Sequence, residues 1–358
     1  MPRFPIVALL AMATLLPSSP SAAQDALAPS RGWIVRSREH VDLWLHGFAV
    51  LSPPDSAVVP LFAPGYRDAV VVAKNTRNIL TALDANGDSL RARYARSPQL
   101  LQAQFLAFRF TDWNDLAQAF DLFIRADGEP RRAPSRDAAA VIAELASVFT
   151  TARDRDWARL FVESLRDEQA RFHGAWWREQ QAARRLALLR ADSLWATEWQ
   201  PALLKFLTRS QQRSGELMLS LPLAGEGRAA AGRTGAVIAV PLPERVEDAA
   251  IALYVTAHEA VGTLVGGAIA DNTTPAEQRA GVAARYVAAA QVVAGHELLT
   301  RLLPATADGY AHYYLAARGR RSTASGAALA RELADAFPLP PVVLEAIRRQ
   351  IEITLGGI

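Results

Sequence analysis

Between Asp248 and Asp271 the chain reads AAIALYVTAHEAVGTLVGGAIA, apolar except for Thr256, Thr263 and the pair His258-Glu259. A helix that is apolar on every side has to be enclosed, by other elements of a large domain or by lipid. Length suits a membrane span, and Gly262 with Gly266 makes the small-xxx-small spacing of packed membrane helices. An acid and an imidazole at the middle of a bilayer, however, cost several kcal/mol unless partnered, and several amphipathic helices of soluble type follow. The run therefore reads as the centre of a soluble domain, and the rest of the chain has to build its enclosure.

Most of that enclosure reads as helix. SREHVDLWLHGFAVL at 37–51 opens on a serine cap and sets Val41, Trp44, Leu45 and Phe48 on one stripe. Similar patterns run through 66–83, 98–108, 112–125, 136–150, 154–190 and 193–210, with DANGD at 84–88 and ADGEPRRAPS at 126–135 read as loops. After Ser214 the pattern changes. ELMLSLPL at 216–223 and AVIAVPLP at 236–243 read as two strands. The glycine-rich AGEGRAAAGRTG between them reads as a flexible hairpin connection. Glu244 to Asp248 give the His258 helix an acidic first turn. Thr274, Pro275 and Glu277 form a capping-box start for a long helix, and helices at 322–336 and 341–354 close the chain. The expected class is mainly α with a small β-sheet. The expected division is a leader at 1–23, a helical region at 24–213 and a region at 214–358 holding the sheet and the His258 helix.

Composition narrows the chemistry. The leader MPRFPIVALLAMATLLPSSPSAAQ has a basic start, an apolar middle and small residues before a cut near Ala23-Gln24, so the mature chain is expected to be secreted or periplasmic. There is no cysteine, which excludes disulfides, thiolate metal sites and cysteine nucleophiles. The net charge of +3 comes mostly from arginines interleaved with acids, as in RDRDWARLFVESLRDEQAR at 153–171. Mixed charge of this kind is a solvated helix face and not a nucleic-acid footprint. GRAAAGRT at 227–234 nearly matches a phosphate loop, with Arg233 in place of lysine, but it runs into a strand where the motif needs a helix N-terminus. Trp176, Trp177, Trp195 and Trp199 read as helix packing. His40, His46 and His173 read as surface or satisfied core histidines.

One stretch carries candidate chemistry. On a helix, i and i+4 share a face, so H-E-x-x-H aims two imidazoles at one zinc while the glutamate activates the bound water. TAHEAVG supplies His258 and Glu259 but has Gly262 at the second histidine position. Downstream, GHELLTR at 295–301 offers Glu297, with Arg301 one turn on to hold its carboxylate. This order of strand, strand, H-E helix and Glu-bearing helix, over about 214–315, resembles the glutamate-zincin metallopeptidases, in particular zincin-like proteins secreted by bacteria. The resemblance implies zinc held by His258 and Glu297, Glu259 as general base, and an oxyanion-stabilising tyrosine at Tyr310, Tyr313 or Tyr314, with Tyr310 the leading choice. Gly262 departs from the pattern, and two protein ligands hold zinc only weakly. His312 is the best substitute ligand; His46 and His296 are the other imidazoles, and His296 points about 100° away from Glu297 on its helix. The expectation is a degenerate, non-catalytic or weakly active homologue that binds a peptide or protein. The alternatives are an active zinc peptidase recruiting His312, and a helical envelope protein with no metal site.

Overall fold

The computed structural model describes residues 32–53, 59–232 and 235–356; the leader expected at 1–23 and its expected cut near Ala23 lie outside them. The chain is mainly helical around one four-stranded sheet, as the hydropathy pattern requires. Strand β1 (Trp33–Arg36) is followed by α1 (Glu39–Leu51), α2 (Tyr66–Thr76), α3 (Ala82–Tyr94), α4 (Trp113–Arg125), α5 (Arg136–Val148), α6 (Ala152–Glu168), α7 (Gly174–Ala183), α8 (Arg185–Leu194) and α9 (Gln200–Arg209). Next come β2 (Gly215–Ser220), β3 (Arg228–Ala231), β4 (Ala236–Pro241), α10 (Ala249–Ala260), α11 (Gly262–Asp271), α12 (Pro275–Arg279), α13 (Val282–Leu302), α14 (Pro304–Ala317), α15 (Gly326–Ala336) and α16 (Pro341–Leu355).

Four strands replace the two read from sequence, in the order β1-β2-β4-β3. β1, β2 and β4 run parallel, with Leu217 opposite Ile238, and β3 pairs antiparallel with β4 at the edge. The expected hairpin of β2 and β4 is therefore a parallel pair, and the true hairpin is β3–β4, formed from the stretch read as a flexible connection. The miss has a physical cause. Arg228–Ala231 is RAAA, which lacks the β-branched and aromatic residues that mark a strand, and β1 is only four residues long.

The strand alternation separates two cores. Leu217, Leu219, Ile238 and Val240 face one built from α8 to α11 and α13 to α16; Met218, Val237 and Ala239 face another built from α1 to α7. The division expected at 213 is thus crossed twice. β1 joins the sheet from the N-terminal side, and Ala191, Trp195, Trp199 and Leu203 of the helical region pack with the C-terminal helices.

Several local readings change: the pattern at 66–83 is two helices, α2 and the start of α3, and the helix read on from Thr274 is broken at Gly281 into α12 and α13. DANGD lies inside α3, whose start is fixed by a capping box between Thr81 and Asp84. The long pattern at 154–190 contains a widened π turn at Gln169–His173 between α6 and α7. α1 is buried from His40 to Leu51 on all sides, so the apolar stripe read for it is only part of what it encloses.

Candidate functional site

α10 packs against β4 on one side and α13 on the other, as a wholly apolar helix must. The apolar window of Val246–Asp271 is 61% buried within the protein. The helix is interrupted at Val261, so Gly262 opens α11 and does not continue α10.

His258 is fully buried and Glu259 nearly so. Nδ1 of His258 lies 2.9 Å from Oε1 of Glu259. The other carboxylate oxygen, Oε2, accepts the backbone N–H of Ala229 in β3 at 2.6 Å. The His258 ring stacks on Tyr314 at 5.3 Å and 19°, and its Nε2 has no hydrogen-bond partner. Gly227 allows this closeness. It adopts φ +57°, and a side chain there would crowd Val255, the Ala239 carbonyl and Glu259.

The other residues expected at the site are placed elsewhere. Glu297 accepts from Nε of Arg348 in α16 at 2.8 Å, so its partner comes from the last helix and not from Arg301. Tyr310 donates its hydroxyl to the Val292 carbonyl of α13 at 3.1 Å. Burial raises its pKa well above the ordinary phenol value, which keeps the proton that makes this bond. Tyr314 donates to the Gly225 carbonyl at 3.0 Å. His312 is two residues from both Tyr310 and Tyr314, about 200° around α14 from the face that meets His258. Among the described residues no three His, Asp or Glu side chains converge as a metal would need. The donor set does not fit zinc: the one carboxylate beside His258 is already bridged to an imidazole and an amide, and Glu297 is held by a guanidinium.

A second histidine–carboxylate centre lies in the N-terminal core. His46 of α1 places Nε2 3.0 Å from Glu168 Oε1 and Nδ1 3.0 Å from the Tyr66 hydroxyl. Glu168 Oε2 also accepts from Lys74 Nζ at 2.8 Å and from the Thr81 hydroxyl. Lys74 reaches Asp84 in α3 at 2.9 Å. Burial would raise the Glu168 pKa, but the hydrogen bond and charge of His46, with those of Lys74, prevail and hold it down at about 2. His173 closes the π turn with its ring 4.9 Å from that of His46; it is fully buried, and both its nitrogens lack partners. Burial, with His46 nearby, holds it well below the usual imidazole value. One turn before His46, Asp42 accepts from Ser220 Oγ at 2.5 Å and Trp177 Nε1 at 2.7 Å, and burial pushes its pKa up to about 7. Sequence reasoning missed this cluster because its members are tens of residues apart. The only available signal was the number of charged and histidine positions within otherwise apolar helices.

Comparison with protein-family models, with curated proteins and with solved structures finds no match.

Proposed function

We propose that the chain is an exported, non-catalytic protein of zincin-like build that acts by binding or scaffolding a peptide or protein. In this reading the His-Glu helix serves the architecture. The observation that carries it is the double engagement of Glu259: one carboxylate oxygen meets His258 and the other the Ala229 amide. A general base needs a lone pair directed at water or substrate, and here both oxygens already hold protein partners. The zincin-like part of the proposal is supported by the packing order: β4 lies against α10, and α10 against the Glu297-bearing α13.

Metal analysis and zinc titration of the mature chain test it. The expected results are no stoichiometric zinc, no hydrolysis of a mixed peptide library, and no tight site in a Gly262→His variant, since Glu297 remains held by Arg348. One zinc per chain that is lost on His258→Ala would overturn the proposal.

A further inference from the structure

The connections of the parallel strands diverge. β1 leads into α1 on the face of the N-terminal core, and β4 leads into α10 on the face of the C-terminal core, with β2 between them. Where connections part in this way, an open parallel sheet takes its ligands outside the carboxyl ends of the strands. α7 and α8 lie over those ends. Trp177 of α7 donates to Asp42, which also accepts from Ser220 at the end of β2. α8 packs against β1, α10 and the turn Val246–Asp248.

The helical run breaks between α7 and α8 at Arg184, with φ −99° and ψ 9°. Its side chain is only 19% exposed, yet among the described residues its one acidic partner is Glu244, just past β4, at 3.5 Å from Nη2. The Glu244 side chain is itself 79% exposed. Gln180 accepts from Nη1. Nε of Arg184 is shielded from solvent without a partner, and so is the amide nitrogen of Gln181, one turn earlier on the same helix face. A guanidinium drawn this far out of water is costly unless its donors are met. The Nε–Nη2 edge is a planar fork that a carboxylate can bridge with both oxygens.

We infer that the Nε–Nη2 edge of Arg184, with the Gln181 amide, is a binding site for a monocarboxylate, free or at the end of a peptide, and that the exposed Glu244 competes with it for the guanidinium. One fork matches one carboxylate in shape and charge. A phosphate dianion would bring a second charge beside Glu244 and into the region of the buried Asp42, so it fits less well.

The test follows the Arg184 Nε–H resonance in the full mature chain carrying isotope-labelled arginine, assigned by its loss in Arg184→Lys. The probes are acetate, N-acetyl-dialanine, the amide of that dipeptide and inorganic phosphate, at constant ionic strength. Acetate and the dipeptide acid should move the resonance saturably, the amide should not, and phosphate should bind roughly tenfold more weakly than acetate. Tighter binding of the dipeptide than of acetate supports a peptide end as the source, and equal binding supports a small acid. By calorimetry, Arg184→Lys, which keeps the charge but loses the fork, should weaken binding roughly tenfold or more. Glu244→Gln removes an exposed competitor and should strengthen it severalfold. The inference is overturned by no saturable shift in the parent and Glu244→Gln chains, by an amide or phosphate that binds as well as acetate, or by unchanged affinity in either variant. None of these results involves His258 or Glu259, so the non-catalytic reading is decided separately by the zinc titration.

Discussion

The two buried histidine–carboxylate centres differ in what they join. His258 and Glu259 are neighbours in sequence, and together they tie one helix to one strand amide. His46 and Glu168 are 122 positions apart. Their cluster gathers α1, α2, α6 and the capped start of α3, and it satisfies both nitrogens of His46. The pair that resembles a catalytic motif is therefore the less connected, and the pair with no sequence signature holds the N-terminal core together. A motif reports only on residues close in the chain, whereas the cost of a buried charge is met by whatever the fold brings beside it.

The largest expected effect tests that contrast. Lys74→Met removes the cation facing Glu168 and leaves a buried carboxylate short of a partner, which should cost about 3–5 kcal/mol in urea unfolding. Glu259→Ala leaves one amide and one imidazole unpaired and should cost about 1–3 kcal/mol. Equal losses would break the comparison.

Titration separates the groups by sign. Glu168 and His173 hold fewer protons folded than unfolded, so their contributions weaken as pH falls, from about 6.5 downward for His173 and between 4.5 and about 2 for Glu168. Asp42 is raised from 3.8 to about 7, so its contribution is complete below 3.8 and is lost as pH rises through 7. Asp42→Asn should remove a slope on the order of 1 kcal/mol per pH unit between those values, read from unfolding midpoints across that range. A slope that persists in the variant would assign it to another group.

Most helices were legible from an amphipathic stripe. The Thr274–Glu277 capping box forms as read, whereas the serine cap read for α1 does not: the helix is capped at Arg38 without a side-chain bond, and the Ser37 hydroxyl donates to the Leu219 carbonyl at 2.7 Å. β2 and β4 were legible from their apolar residues, but their parallel pairing was not, because sequence patterns do not specify a partner. At the candidate site, burial of His258 and Glu259 followed from the apolar run around them. The Arg348 partner of Glu297 did not, since it comes from the last helix, 51 residues on. DANGD was read as a loop on its composition, whereas Asp84 belongs to the cap and Asn86 bonds Ser164 at 3.1 Å, so tertiary contacts override a weak local preference.

Two glycines near His258 sharpen the comparison at its lower end. Gly295 lies against Tyr310, and a Cβ there would collide with the Tyr310 hydroxyl and break its bond to Val292. Gly295→Ala should therefore cost about 1–3 kcal/mol by overpacking. Gly262 has more room, with only the tip of Gln291 at 3.3 Å from an added Cβ. That tip can swing away, and alanine favours the first turn of α11 over glycine by up to about 1 kcal/mol. Gly262→Ala is thus expected to leave stability unchanged or raise it slightly, measured by the same urea midpoint. Such a result would mean that packing does not require glycine at the position where the zinc motif has histidine, so the gap in the motif reflects a missing ligand rather than a steric demand. A loss above about 1 kcal/mol would reverse that conclusion and make the break at Val261 a feature the core depends on.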